Sequence, residues 1–177
     1  MTETELINNI FCSVIASFIF LFAVLILFKP KILLSPFICK SKFKNGKEDF
    51  YSFKFINISI FSAYDVQIEL LEVDSYPVAN GYMNERLTHL QLVLDRVSNI
   101  PGYRPSWIIK NAPYAIVVRA SEEISEILKD DYKSIIIKVT LRHGLTGLVK
   151  VFTKKYTDLS QIKSGKFNYG LKFAPIK

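Results

Sequence analysis

The chain has 177 residues, a formal net charge of +7 and only two cysteines. Setting aside one uncharged apolar stretch near the start leaves roughly 130 residues, enough for one domain with its own core. Cys12, inside that apolar stretch, and Cys39, just after it, fit no zinc spacing, and a disulfide between them is implausible across a bilayer boundary, which suits a reducing cytoplasm for the soluble part.

Residues 10–28, IFCSVIASFIFLFAVLILF, carry no charge over 19 positions. At the helical rise that length spans the roughly 30 Å hydrocarbon core of a bilayer. Ile10, Phe18, Phe22, Leu27 and Phe28 mark the expected span. Glu3 and Glu5 precede it; Lys29, Lys31, Lys40, Lys42, Lys44 and Lys47 follow, with no acid before Glu48. The positive-inside rule then places the N-terminus outside and the C-terminal part in the cytoplasm, as in a bacterial inner-membrane protein. A secretory signal peptide would have a basic start and a small-residue cleavage site, and neither is present. A buried core helix is rarely apolar on every face. The span holds no Asp, Glu, Lys, Arg or His, so by itself it offers no ion relay. Ser13, Ala16 and Ser17 permit a close helix contact, without a GxxxG motif.

Residues 29–47, KPKILLSPFICKSKFKNGK, mix lysines, apolar residues and two prolines, which argues against a continuous helix. Two readings stand side by side. In one, the segment is a collar whose Ile32, Leu33, Leu34, Phe37 and Ile38 dip into the interface while Lys29, Lys31, Lys40, Lys42, Lys44 and Lys47 contact lipid headgroups. In the other, it is a linker whose apolar residues pack on the soluble domain. The expected division is therefore a tail and transmembrane helix over 1–28, a basic juxtamembrane linker over 29–47 and a cytoplasmic domain over 48–177.

The domain reads as β-structure almost throughout. Over 50–58, Tyr51, Phe53 and Phe55 share one face and Ser52 and Lys54 the other. Residues 63–73 repeat the alternation, a polar loop is expected over 74–85, and Leu90, Leu92 and Leu94 alternate again. Pro and Gly mark a turn over 100–105. Short strands are expected over 107–109 and 114–120. Ser121 is placed to cap a short helix with Glu122 and Glu123 at its positive end and Ile124, Ile127 and Leu128 on its inner face. Strands over 134–141 and 148–153 flank a turn at His143, Gly144 and Gly147, and a last strand is expected over 166–173. This succession predicts a mainly antiparallel β-sandwich with one short helix.

The order of elements resembles the cytoplasmic immunoglobulin-like domain of inward-rectifier potassium channels. Phe53-Lys54-Phe55-Ile56-Asn57 is similar to that family's F-R-x-x-N pattern, and residues 65–72 to its following long strand. Residues 114–118 are similar to the strand before its small helix. Residues 135–140, Thr146-Gly147, Lys154-Lys155-Tyr156 and Gln161-Ile162-Lys163-Ser164-Gly165-Lys166-Phe167 follow the course of its closing strands. The resemblance covers about residues 50–173 and implies an immunoglobulin-like fold, assembly into rings and a basic surface near lipid. The pore is missing: there is one span, and Gly81-Tyr82 and Gly102-Tyr103 stand in polar loops rather than in a T-x-G-Y-G filter.

Catalytic chemistry is not signalled. His89 and His143 have no ligand or acid at useful spacing, no Gly-rich phosphate loop occurs, and the helix glutamates suit a solvated face. The expectation is a protein without enzymatic activity or cofactor. Two functions fit. One is a membrane effector or pore-type subunit that assembles homo-oligomers when its domain senses a ligand or partner, as small single-span proteins do in bacterial stress and antiphage defence. The other is an anchor that recruits a cytosolic protein partner. Nucleic acid is a third and weaker reading of Lys133, Lys138, Arg142, Lys150, Lys154 and Lys155, which alternate as solvated charges on strands.

Overall fold

The computed structural model describes residues 3–27, 30–42, 49–105, 107–108 and 111–176. Phe28, Lys29, Lys44 and Lys47, expected in the span or at the headgroups, lie outside the described residues, as does Ile109. The apolar run forms α1 (Glu3–Leu27), which is long and apolar enough to cross a membrane, and its most apolar window buries nothing inside the fold. Ile10, Phe18 and Phe22 are all exposed along it.

Two five-stranded sheets follow. The first holds β1 (Ile32–Leu34), β2 (Ile38–Lys42), β3 (Asp49–Asn57), β7 (Ala115–Ala120) and β10 (Ile162–Ser164). The second holds β4 (Ala63–Pro77), β5 (Met83–Leu90), β6 (Arg96–Ile100), β8 (Lys133–His143) and β9 (Val149–Tyr156). All pairings are antiparallel except β2 with β10. A short ribbon, β11 (Lys166–Phe167) with β12 (Pro175–Ile176), closes the chain. The small helix is α2 (Ile124–Ile127).

In each sheet one long strand is the spine. β3 pairs along one edge with β7 and along the other with β2 and then β1, which flank the break at Pro36. The Ser35 amide donates to the Lys54 carbonyl at 2.9 Å, carrying the ladder across that break. β4 pairs with β8 along one edge and with β6 and then β5 along the other. The register of β4 shifts between Tyr64 and Gln67, where Asp65 takes a left-handed φ of 49°. One core joins the sheets: Tyr51, Phe53 and Phe55 from β3 belong to the same buried cluster as Ile68 and Leu70 from β4 and Ile137 from β8. Burying each such side chain is worth roughly 1.5–3 kcal/mol.

Several expectations change. Residues 32–42 are not a collar; as in the second reading their apolar residues pack on the domain, but they do so as two strands of its sheet, with Ile32, Phe37, Ile38 and Cys39 buried. Ile38 joins the core cluster, and Lys40 and Lys42, two and four residues on along the same strand face, lie at its margin, half-buried and exposed. Residues 74–77 continue β4 and 83–90 form β5, so the expected polar loop shrinks to a tight connection around Asn80, itself at φ 65°. The Leu90–Leu94 alternation ends as a strand at Leu90 and gives way to a loop, and a strand not expected from the sequence forms at 96–100. Trp107 and Ile108 lie in an exposed turn rather than a strand. α2 begins after Glu123 with no side-chain cap, so Ser121 does not cap it. Beyond β11 the last segment turns over the first sheet instead of extending as a strand to residue 173.

Candidate functional site

The outer face of β3 is as buried as its inner face, which alternation alone does not predict. Ser52 is 5% exposed and Lys54 2%. Cys39 on β2 stands opposite Ser52 and is fully buried. The cover over Lys54 comes from the chain's last segment. The Lys54 ammonium donates to the carbonyls of Asn168 (2.7 Å), Gly170 (2.6 Å) and Lys172 (2.9 Å), and sits 5.8 Å from the centre of the Phe173 ring. A lysine brings three donors and no acceptor, so three carbonyls satisfy it fully. Burial pulls its ammonium below the ordinary lysine range and pushes the Cys39 thiol up to about 11, which makes that thiol unreactive at neutral pH.

Residues 165–176 thus form a strap across the first sheet, pinned in the middle by Lys54. Its first end is tied to β2: the Gly165 amide donates to the Lys40 carbonyl at 3.0 Å and the Ser41 hydroxyl to the Gly165 carbonyl. Phe167 stacks on Phe37 with ring centres 5.7 Å apart. Gly165, at φ 121°, approaches the Ile176 backbone so closely that a Cβ would collide with it. Between strap and sheet edge opens a cavity of about 630 Å³, lined by Lys40, Lys42, Asp49, Lys166, Phe167 and Ile176 among others.

The walls of this cavity are electrostatically uneven. Lys40 pairs with Asp49 at 2.9 Å and lies 3.9 Å from Glu123. The neighbouring Tyr51 hydroxyl, ahead of the Asp49 carboxylate, holds the Lys40 ammonium above the ordinary lysine range. Tyr51 in turn donates to Glu123 at 2.9 Å and its hydroxyl meets that of Ser125 at 2.6 Å, joining α2 to the sheet. The helix glutamates are therefore structural ties as well as solvated charges: Glu122 also accepts from the Gln91 amide at 2.7 Å. Lys42 and Lys166, both exposed, have no acidic partner among the described residues.

The structure thus brings together Lys40 and Lys42, expected at the headgroups, and adds Lys166, which sequence reading had only as part of a closing strand. Lys31 stands apart, exposed, its backbone amide donating to the Ser59 hydroxyl at 2.8 Å. Residues that carried the family resemblance have internal tasks. Asn57 accepts from the Ser59 amide at 3.0 Å and donates to the Phe61 carbonyl at 3.0 Å, and Tyr156 donates to the buried Ser35 carbonyl at 2.8 Å. His143 is the last residue of β8 rather than a turn residue; it is 1% exposed, with Nδ1 3.1 Å from the Thr146 hydroxyl. His89 lies exposed on β5. Among the described residues no three His, Cys, Asp or Glu side chains gather closely enough to hold a metal ion. In the span, Ser13 and Ser17 donate back to the carbonyls of Asn9 and Ser13 at 2.8 Å each, so their hydroxyls are satisfied within the helix. No family model matches the chain, and comparison with curated proteins finds no relative.

Proposed function

We propose that this is a non-enzymatic, single-pass membrane protein whose cytoplasmic β-sandwich, immunoglobulin-like in its course, senses a ligand or partner and assembles several copies. In this reading it acts as a membrane effector or pore-type subunit, for example in antiphage defence, in the bacterial inner membrane with its N-terminus outside. The observation that carries the reading is the division of labour in the chain. The domain completes its core from its own two sheets, whereas the most apolar window of α1 buries nothing against them. Lipid and the same helix in other copies are then the surroundings left for α1. The mass of the full-length protein in nanodiscs tests it, alone and after addition of cell lysate. A discrete homo-oligomer supports the reading and makes membrane conductance the next assay; a monomer in both conditions sinks it.

The anchor reading has one observation in its favour. Among the described strands β9 pairs with β8 alone, and Val149 and Val151 on it are exposed, so a partner's strand has an edge to join. Replacing α1 by an unrelated span separates the two. An anchor keeps its activity, and an assembling effector loses it.

A further inference from the structure

Two lysines with no acidic partner among the described residues, Lys42 and Lys166, line one cavity together with the apolar Phe167 and Ile176. Its volume of about 630 Å³ falls within the range of small-molecule sites, which are typically clefts of about 300–1,000 Å³ with a few placed polar groups. Among the described lining residues three lysines stand against one carboxylate: Asp49 pairs with Lys40 and is the cross-strand neighbour of Lys42, which leaves a positive excess at Lys42 and Lys166. Phe167 and Ile176, the two ends of the strap's ribbon, supply the apolar surface. An inorganic anion would leave that surface unused, and a neutral apolar molecule would leave both ammonium groups without a counter-charge.

We propose that the cleft between β2 and the strap binds a soluble organic phosphate, its phosphate held by Lys42 and Lys166 and its apolar body against Phe167 and Ile176. Lysine ammonium groups recognise phosphate as point charges, with charge-assisted hydrogen bonds roughly twice as strong as neutral ones. The site bridges two separate parts of the fold. Lys40, Ser41, Lys42, Asp49 and Ser164 belong to the first sheet, and residues 165–167 and 176 to the strap. Occupancy therefore favours the strap in its closed position, because a ligand binds only the conformation in which both walls are present. This gives the sensing reading above a ligand class and depends on that reading only for its downstream effect.

The test is calorimetric titration of the full-length protein in phosphatidylcholine nanodiscs with 1-naphthyl phosphate, compared with inorganic phosphate and with 1-naphthol. Naphthyl phosphate is expected to bind at least about ten-fold more tightly than either half-ligand. The exposed double variant Lys42→Glu/Lys166→Glu is expected to weaken it at least about ten-fold without moving the thermal midpoint. Should that variant fail to fold, Lys42→Gln/Lys166→Gln serves in its place. Hydrogen exchange over residues 165–176 is expected to slow on binding. Absence of naphthyl phosphate binding, equal binding of inorganic phosphate or indifference to the double variant each overturns the proposal. So does a requirement for phosphatidylglycerol in the disc, which would give the lysines to lipid. Binding without any change in oligomeric mass keeps the site and removes only the sensing role.

Discussion

Lys54 stands in a run of aromatic and aliphatic residues, where alternation puts it with Ser52 on the face opposite Phe53 and Phe55. The structure buries it there, because three carbonyls from residues 168–172 converge on its ammonium. The alternation still told which residues share a face with Lys54; it did not tell what lies over that face. Replacing Lys54 by Met keeps most of the stem volume but leaves three carbonyls without their donor: the buried one of Gly170 costs about 1–3 kcal/mol, and the part-buried ones of Asn168 and Lys172 less, because water reaches them. Part of that cost is offset by no longer burying a charge. Lys54→Met is expected to speed hydrogen exchange in residues 165–176 markedly while cooperative unfolding of the two sheets persists. Unchanged exchange in the strap would show that the lysine does not hold it. His143 supplies a second residue-scale prediction. Its Nε2 is buried without a hydrogen-bond partner among the described residues, and burial holds the imidazole below its ordinary value of 6.5. The unfolded chain therefore takes up the proton first. The stability is present above pH 6.5 and is lost as pH falls through the lowered folded value. Between about pH 7 and 5 the thermal midpoint of the native protein should fall more steeply than that of His143→Asn. Equal slopes would remove His143 from the account.

At the scale of elements, the close approaches are made by loops. Gly102, after β6, passes so near the backbone at Ile60 that a Cβ would sit inside the Ile60 carbonyl, and the Tyr103 amide donates to Ser59 at 2.7 Å. Gly102→Ala must push these two loops apart, an overpacking that costs about 3 kcal/mol. Urea unfolding should show a lower midpoint with an unchanged slope; a midpoint within experimental error of the native one would mean that the loops yield freely. α1 makes the opposite kind of prediction. Phe18 and Phe22 are exposed on it, and each lysine placed at the centre of a span costs about 2.5–3.5 kcal/mol of insertion. Phe18→Lys/Phe22→Lys should move the protein from the membrane fraction to the soluble fraction. Retention in the membrane would mean that the domain surface, rather than α1, holds the chain there.

The whole molecule tests where the domain begins. Sequence reading divided the chain at residue 48, yet β1 and β2 lie before that point and contribute Ile32 and Ile38 to the core. A chain of residues 30–177 is expected to unfold cooperatively in water, with a sharp thermal transition. A chain of residues 48–177 loses those strands, leaves one edge of β3 unpaired and uncovers Phe53 and Phe55; it should aggregate or show no transition. Equal stability of the two would return residues 30–47 to the role of a linker. By itself the sequence determined the apolar helix, because an uncharged run of bilayer length is a local property. It also determined strands β3, β4, β7, β8 and β9 and the hairpin turn at residues 144–148, since period-two alternation and glycine positions are local as well. Only the tertiary structure decided that the lysine-rich segment after α1 is part of a sheet, that the last residues fold back as a strap, and that Lys42 and Lys166 face one cavity. The strap and the cavity depend on contacts between residues more than 100 positions apart, such as Lys54 with Gly170 and Lys40 with Ser164, and local pattern carries no record of such partners.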